Sequence, residues 1–202
     1  MKVAFCGLAG SGKNTCANIT RLPRYSFAAS VKDAVSCIFS WNRDYLEGNT
    51  PSAREWREQV DTWWAKKLGI PNFSPRFALQ HFGTEIMREH FHPDIWVMCL
   101  ERRLPEDNFV VTDLRFPNEA KMLQKLGCKI IYVSKHDHLS KTLEHSAMYG
   151  TSAENIAKTY NLHLSEVSCL TFWKDYVIVN NSDLNNLEKQ VNNAMETLFN
   201  EV

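Results

Sequence analysis

The hydrophobic positions of this chain fall into short runs that are separated by long polar or amphipathic stretches. Four runs are nearly continuous and rich in β-branched or aromatic residues, at 2–6, 109–113, 129–133 and 176–180, and a shorter run lies at 25–28. Continuous runs of this kind are typical of parallel strands that are buried on both faces. We therefore predict a parallel sheet of about five strands.

Helical patterns occupy the segments between these runs. Pro117 opens a stretch that ends at Leu126, Thr151 and Glu154 have the spacing of a capping box, and residues 184–199 carry apolar side chains at helical spacing. Strands that alternate with helices predict an α/β fold with helices on both faces of the sheet.

Two longer segments interrupt this alternation. Residues 30–104 contain no convincing strand and are predicted to be a helical insertion that binds a second substrate, with Trp63 and Trp64 serving mainly in packing. Residues 135–170 are polar and rich in His and Lys, and are predicted to form a lid. A length of 202 residues suits one domain with insertions, so residues 1–202 are predicted to be a single domain.

A glycine-rich motif follows the first strand directly. The segment from Gly7 to Thr15 contains the spacing Gly-x4-Gly-Lys, which ends at Lys13. In a turn between a strand and a helix, this spacing lets backbone N–H groups surround a β-phosphate while the lysine reaches the β/γ bridge. The dipole of the helix that follows also favours an anion. We predict a phosphate-binding loop formed by Gly7, Ala9, Gly10, Ser11, Gly12, Lys13, Asn14 and Thr15.

One position departs from the usual motif. Asn14 follows the lysine where a Ser or Thr usually binds magnesium, and the hydroxyl residue, Thr15, comes one place later. This arrangement favours a small-molecule kinase over a GTPase or a motor.

Charge and cysteine content narrow the class of protein. Lys plus Arg and Asp plus Glu both number 23, so neither a nucleic-acid-binding face nor a membrane surface is indicated, and small molecules are the expected partners. The six cysteines are scattered without a C-x-x-C pair, which is typical of a reduced, intracellular protein. No uninterrupted apolar span is long enough to cross a membrane, so we expect a soluble protein that is not exported.

Charged residues near the third apolar run supply candidate chemistry. Asp113 is the last residue of the run at 109–113, where it could bind magnesium or the acceptor, or simply cap a turn, and Arg115 comes two residues later. Arg76, Gln80 and Arg88 frame a helical segment in the insertion, and planar guanidinium groups suit phosphates. A phosphate monoester is already ionised at neutral pH, so positioning and charge neutralisation can suffice without a catalytic base.

Several motifs in the same order resemble the deoxynucleoside monophosphate kinases of tailed bacteriophages. They are Phe27-Ala28-x-x-Val31-Lys32-Asp33-Ala34, Leu46-Glu47-Gly48, Arg54-x-Trp56-Arg57-Glu58, Leu79-Gln80-x-x-Gly83-Thr84-Glu85-x-x-Arg88, Asp94-Ile95-Trp96 and Thr112-Asp113-Leu114-Arg115-Phe116-Pro117-Asn118-Glu119-Ala120. The resemblance covers most of residues 1–133 and, more weakly, the turn at 180–182.

This resemblance implies a P-loop kinase fold that transfers the γ-phosphoryl of ATP to a 2′-deoxynucleoside 5′-monophosphate with Mg²⁺, for phage DNA synthesis. It implies catalytic roles for Lys13, Arg76, Asp113 and Arg115, with Asp113 at the metal. Trp96 has the chemistry to stack on a base. The implied acceptor-side residues are Lys32, Arg76, Gln80, Gly83, Thr84, Arg88, Trp96, Asp113, Arg115 and Glu119.

The lid segment departs from the family pattern. His145-Ser146 is followed by Ala147-Met148-Tyr149 instead of a nearby Ser-Glu, and no arginine occurs after Arg115. Any charge from the lid must therefore come from Lys135, Lys141 or a protonated histidine. A dephospho-coenzyme A or phosphomevalonate-type kinase and a non-catalytic nucleotide-binding module remain alternatives. The bases accepted and the assembly are open, with a homodimer among the options, and the host cytoplasm is the expected location if a phage encodes the chain.

Overall fold

The computed structural model describes residues 1–199. Contacts within the chain divide it into two compact units, each described by itself below. The first unit comprises Met1–Ser26 and the chain from Arg103 onward, and the second comprises Phe27–Arg102.

The regular elements follow one another along the chain with these bounds. They are β1 (Lys2–Cys6), α1 (Lys13–Thr20), β2 (Arg24–Tyr25), α2 (Ala28–Phe39), α3 (Arg43–Glu47), α4 (Pro51–Glu58), α5 (Thr62–Leu68), α6 (Pro75–Gln80), a π-helix (His81–Phe91), α7 (Ile95–Arg103), β3 (Phe109–Val111), α8 (Pro117–Lys125), β4 (Lys129–Ser134), α9 (His138–Met148), α10 (Ala153–Tyr160), α11 (Leu164–Val167), a 3₁₀-helix (Ser168–Leu170), β5 (Tyr176–Val179) and α12 (Leu184–Phe199).

The first unit is built on a five-stranded sheet with the strand order β2-β3-β1-β4-β5. Every strand pair is parallel, and Ala4 of β1 lies opposite Val111 of β3 and Ile130 of β4. The strands β2 and β3 lie on one side of β1, and β4 and β5 lie on the other. The direction of strand order thus reverses at β1, and an open parallel sheet forms a binding crevice at the carboxyl ends of the strands at such a point. The predicted α/β fold with a parallel sheet covered by helices is confirmed.

The core of this unit explains why the sheet is covered. Val3, Phe5, Ile131 and Val133 are fully buried, and they pack with the apolar faces of α1 and α12. The helical stripe predicted at residues 184–199 therefore faces the sheet, where burial of each large apolar side chain contributes about 1.5 to 3 kcal/mol.

Some predicted boundaries are wrong. The strand expected at 25–28 is Arg24–Tyr25, because Ala28 already begins α2. Ser152, not Thr151, is the N-cap of α10, and its hydroxyl accepts a hydrogen bond from the Asn155 amide. The helix that starts at Pro117 ends at Lys125.

The segment at 135–170 is mostly helical. It contains α9, α10, α11 and the 3₁₀-helix, and it buries Leu143, Ile156 and Val167. Its role as a lid stays a prediction.

All regular elements of the second unit are helical. Its core gathers buried residues from several helices and connecting loops, among them Val35, Trp41, Leu46, Phe73 and Trp96. Trp64 packs against this core and its indole N–H donates to the Phe39 carbonyl. Trp63 is 58% exposed, so most of its side chain is not packed in the core as we expected. Within residues 1–199, no helix has both the length and the apolar character needed to cross a bilayer.

Candidate active site

The loop between β1 and α1 has the backbone shape that its glycines permit. Gly7 has φ +149°, and a Cβ there would lie 2.4 Å from the Val133 carbonyl oxygen of β4. Gly12 has φ +99° and directly precedes α1. A side chain at either position would be strained and would clash, so the glycine spacing of the motif follows from the close packing of this loop.

Lys13 lies inside the curve of the loop. Its Nζ donates to the carbonyl oxygens of Gly7 and Leu8, both at 2.8 Å, and the Ser11 hydroxyl lies at 3.5 Å. Burial lowers the pKa of Lys13 below its ordinary value. A phosphate oxygen accepting from the same ammonium would favour the charged form, because an opposite charge nearby raises a lysine pKa.

The remaining loop residues differ in exposure. Ser11 is fully buried, whereas Ala9 and Gly10 are exposed. Asn14 is also exposed, and its side-chain oxygen accepts a hydrogen bond of 3.4 Å from Arg24. Thr15 is half-buried in the first turn of α1. Binding of a donor nucleotide by these residues stays a prediction.

Asp113 follows β3, the strand next to β1, and so lies at the same edge of the sheet as the loop. One of its carboxylate oxygens accepts a hydrogen bond of 2.7 Å from the Ser26 hydroxyl, which follows β2. Carboxylate and hydroxyl oxygens are suitable ligands for Mg²⁺, which commonly takes one or two carboxylates together with substrate phosphates. The donor set therefore fits a metal shared with a bound nucleotide.

Arg115 and Glu119 have different surroundings. The Arg115 side chain is exposed, and its guanidinium lies 3.4 Å from the Ser165 hydroxyl. Glu119 is buried, and its carboxylate accepts from the backbone N–H groups of Arg115 at 2.9 Å and Phe116 at 3.0 Å. Glu119 thus fixes the backbone that carries Arg115, which is a supporting role for a residue predicted on the acceptor side.

Lys32 belongs to an ion-pair network in the second unit. Its Nζ lies 2.6 Å from a carboxylate oxygen of Glu47, and the other oxygen of Glu47 pairs with Arg43. Arg43 also contacts Asp33 at 2.7 Å. Burial opposes ionisation of Glu47, but hydrogen bonds from Lys32 and Arg43 outweigh it and lower the pKa of the carboxyl.

The predicted acceptor segment does not form one α-helix. Arg76 and Gln80 lie on α6, but the chain changes to a π-helix at His81, so Gly83, Thr84 and Arg88 follow a different helical period. Gly83 is buried while Thr84 is exposed. Face assignments made with α-helical spacing therefore do not apply across this segment, and π-helical segments are often found at functional sites.

Trp96 is only 6% exposed and lies in the core of the second unit. Its indole N–H donates to the Gly83 carbonyl at 2.7 Å. Gly83 also packs closely on α2, since a Cβ there would lie 3.3 Å from Val31. Arg76 is exposed, with a guanidinium nitrogen 4.0 Å from Glu58. Contacts of these residues with an acceptor stay predictions.

The side-chain amide of Asn180 donates a 2.9 Å hydrogen bond to the Ser11 carbonyl of the loop. Sequence reasoning did not single out Ser26, Glu47 or Asn180 for the contacts that they make. Ser26 and Asn180 directly follow strands, and Glu47 sits in a motif that resembles the phage kinases. Their position directly after a strand could have identified Ser26 and Asn180 as candidates, because residues that follow parallel strands lie together at one edge of the sheet.

Comparisons with known proteins agree with this architecture. A family model described as deoxynucleotide monophosphate kinase matches residues 58–191. The chain is 29% identical over 180 residues to the deoxynucleoside-5′-monophosphate kinase of Escherichia phage T5, a match that covers 61% of this chain and 71% of that protein. It is 28% identical over 151 residues to an Acanthamoeba polyphaga mimivirus protein provisionally named a deoxynucleotide monophosphate kinase, covering 66% of this chain and 73% of that protein. Because the family model spans more than half of the sequence, the chain belongs to the deoxynucleotide monophosphate kinase family.

Proposed function

We propose that this chain transfers the γ-phosphoryl group of ATP to a 2′-deoxynucleoside 5′-monophosphate, giving a deoxynucleoside diphosphate and ADP. Family membership makes the chain a nucleoside monophosphate kinase. The proposed binding of the donor is supported by the loop after β1, with Lys13 inside its curve and Asp113 just beyond the end of the adjacent strand β3.

The loop is suited to the donor because it brings together two positive groups that can neutralise phosphate charge. Lys13 would exchange its hydrogen bonds to the Gly7 and Leu8 carbonyls for phosphate oxygens, and the N-terminus of α1 adds a favourable dipole. Mg²⁺, held by Asp113 and the donor phosphates, would neutralise charge on the β- and γ-phosphates.

The acceptor needs to be held more than activated. Its phosphate is already an oxyanion at neutral pH, since the second pKa of a phosphate monoester is about 6. Arg76 and Arg115 are both exposed and can grip phosphate oxygens in two-point fashion. Alignment of the two phosphates then supplies most of the rate enhancement.

We further propose that the natural acceptor lacks the 2′-hydroxyl and that the product supplies phage DNA synthesis. A ribose hydroxyl pressed against an apolar wall loses its water partners at a cost of about 1 to 3 kcal/mol, or roughly 5- to 150-fold in kcat/KM. The second unit exposes large apolar and aromatic side chains, among them Tyr45 and Trp63, which are available for such a wall.

A coupled ADP-release assay with saturating ATP and Mg²⁺ tests this proposal. We expect turnover with deoxynucleoside monophosphates and a lower kcat/KM for GMP than for dGMP and for CMP than for dCMP. A kcat/KM for the ribonucleotides that equals or exceeds that for the deoxynucleotides would contradict the deoxy preference but not the kinase assignment. Turnover only with dephospho-coenzyme A or phosphomevalonate would contradict the acceptor, and nucleotide binding without acceptor-dependent ADP release would contradict catalysis.

A further inference from the structure

The phosphate loop is tied to the far side of the sheet by one side chain. Asn180 directly follows β5, and its side-chain amide donates a 2.9 Å hydrogen bond to the Ser11 carbonyl, across 169 residues of sequence. Both residues belong to the first unit. This hydrogen bond holds the backbone of the loop in place from a residue that is not part of the loop.

Asn180 is itself held firmly. Its backbone N–H donates to the Ser134 carbonyl at 2.8 Å, which extends the pairing of β5 with β4 by one residue. The preceding residue, Val179, accepts from Gln190 at 2.9 Å and donates to the same amide at 3.1 Å. Gln190 on α12 therefore satisfies the outer side of an edge strand, whose backbone groups would otherwise lack a strand partner.

The hydrogen bond to Ser11 has a consequence for Gly12. The Ser11 carbonyl and the Gly12 N–H belong to one planar trans peptide group, so they point in opposite directions. Fixing the carbonyl toward Asn180 turns the Gly12 N–H away from it. A Cβ on Gly12 would lie 2.5 Å from the Asn180 amide nitrogen, which shows how closely the two residues pack.

We propose that Asn180 is a positioning residue of the phosphate loop, which orients the Ser11–Gly12 peptide so that the loop can receive the β-phosphate of a nucleotide. This rests on the proposed function only in identifying that loop as the donor site. Asn180 acts through the backbone of Ser11 and Gly12 and needs no contact with the nucleotide itself.

Equilibrium binding of ADP, ATP and dGMP to the full chain tests this role in two variants. Asn180→Ala removes the donor, and Asn180→Asp keeps the shape but places an acceptor opposite the Ser11 carbonyl. Loss of one such hydrogen bond predicts about 3- to 10-fold weaker binding of ADP and ATP for Asn180→Ala, and a larger loss for Asn180→Asp. Binding of dGMP to the acceptor site, measured with ATP absent, should stay within about twofold. The matched control is Asn181→Ala, because Asn181 is adjacent and exposed.

A second readout separates positioning from general stability. The backbone amide resonance of Gly12 should shift in Asn180→Ala and stay in place in Asn181→Ala. Gln190→Ala should give the same changes to a smaller extent, because it loosens β5 just before Asn180. ADP affinity equal to that of Asn181→Ala, or equal losses for dGMP and ADP, would overturn the proposal. If neither Asn180 variant folds, the residue is structural and the proposal is also overturned.

The same measurements distinguish this proposal from the proposed function. If the unsubstituted protein binds ADP but does not phosphorylate deoxynucleotides, the proposed reaction fails while a selective loss of ADP affinity in Asn180→Ala still supports positioning. If phosphorylation is observed and the Asn180 variants bind ADP normally, only the positioning role fails.

Discussion

The candidate sites in the phosphate loop and in the helical unit at Phe27–Arg102 are built from different parts of the residue. In the loop, the predicted function rests on backbone shape, and three of its glycines have positive φ. In the helical unit, the predicted residues act through side chains, and several are engaged with other protein groups. Lys32 pairs with Glu47, and Trp96 donates to the Gly83 carbonyl.

This difference decides how much a motif reveals. A glycine that is required by a backbone turn has the same structural meaning wherever the turn occurs, so spacing alone predicts the backbone shape of the loop. An arginine or tryptophan on a helix can bind a ligand, pair with a neighbour or fill the core, and its neighbours come from distant parts of the sequence. Substitution of Lys13 in the loop should therefore lower activity with little change in stability, whereas substitution of Trp96 in the helical unit should lower stability with little change in substrate binding.

The largest effect is expected at Lys13. Lys13→Ala should lower kcat by about 10³-fold or more, because the ammonium neutralises charge that develops between the β- and γ-phosphates. The unfolding midpoint should stay close to that of the unsubstituted protein, since burial already disfavours this charge, as the lowered pKa indicates. Steady-state kinetics and thermal unfolding measure both quantities.

Lys158→Ala is the matched control, because Lys158 is exposed on α10. It should leave turnover unchanged. Near-normal kcat in folded Lys13→Ala would remove the loop lysine from the reaction.

Trp96 should show the reverse pattern. Trp96→Phe removes the buried donor to the Gly83 carbonyl and should lower the free energy of unfolding by about 1 to 3 kcal/mol. KM for the deoxynucleotide should change little, because the ring lies in the core. Trp63→Phe, at an exposed position, should stay within about 0.5 kcal/mol in denaturant titrations. A raised KM with unchanged stability would instead support the predicted stacking of Trp96 on a base.

The fold was largely predictable from the sequence. Four of the five strands are continuous apolar runs, and the almost complete burial of β1, β3 and β4 leaves little ambiguity of type for those three. β2 was placed poorly because Arg24–Tyr25 is only two residues long and its residues are not fully buried. The predicted N-cap of α10 was wrong by one residue, because Thr151 and Ser152 can both accept a hydrogen bond at the N-terminus of a helix.

For the candidate site, sequence reasoning and the structure agree in the backbone shape of the loop. Nothing in the spacing from Arg76 to Arg88 shows that the helix changes period at His81, so the placement of the side chains along this segment was not predictable. The hydrogen bond from Asn180 to Ser11 joins the two ends of the chain, and such a contact has no local pattern. The same holds for Glu119, whose carboxylate supports the backbone of Arg115.

A smaller effect is expected at Arg76. Arg76→Lys should raise KM for the deoxynucleotide about tenfold and leave KM for ATP unchanged, because lysine keeps the charge and loses the planar two-point grip. Arg76 is exposed and lies 4.0 Å from Glu58, so packing does not require it. Arg102→Lys, also exposed and in the same unit, is the control for initial-rate kinetics. Equal losses for both substrates, or none, would contradict an acceptor role for Arg76.

The smallest effect concerns the charge network of the helical unit. Glu47 has a lowered pKa in the folded protein, so its ionised form contributes stability above the unfolded value of about 4.5, and this contribution is lost as the pH falls through the folded pKa. Glu47→Gln should therefore cost about 0.5 to 1 kcal/mol at pH 7, a modest figure because the carboxylate is 34% exposed. The difference should shrink below about pH 4.5 and vanish once Glu47 is protonated in both states. Urea titrations at pH 7 and pH 3 measure it, with exposed Glu55→Gln as the control. An equal loss at both pH values would show that the shape of the side chain, and not its charge, stabilises the network.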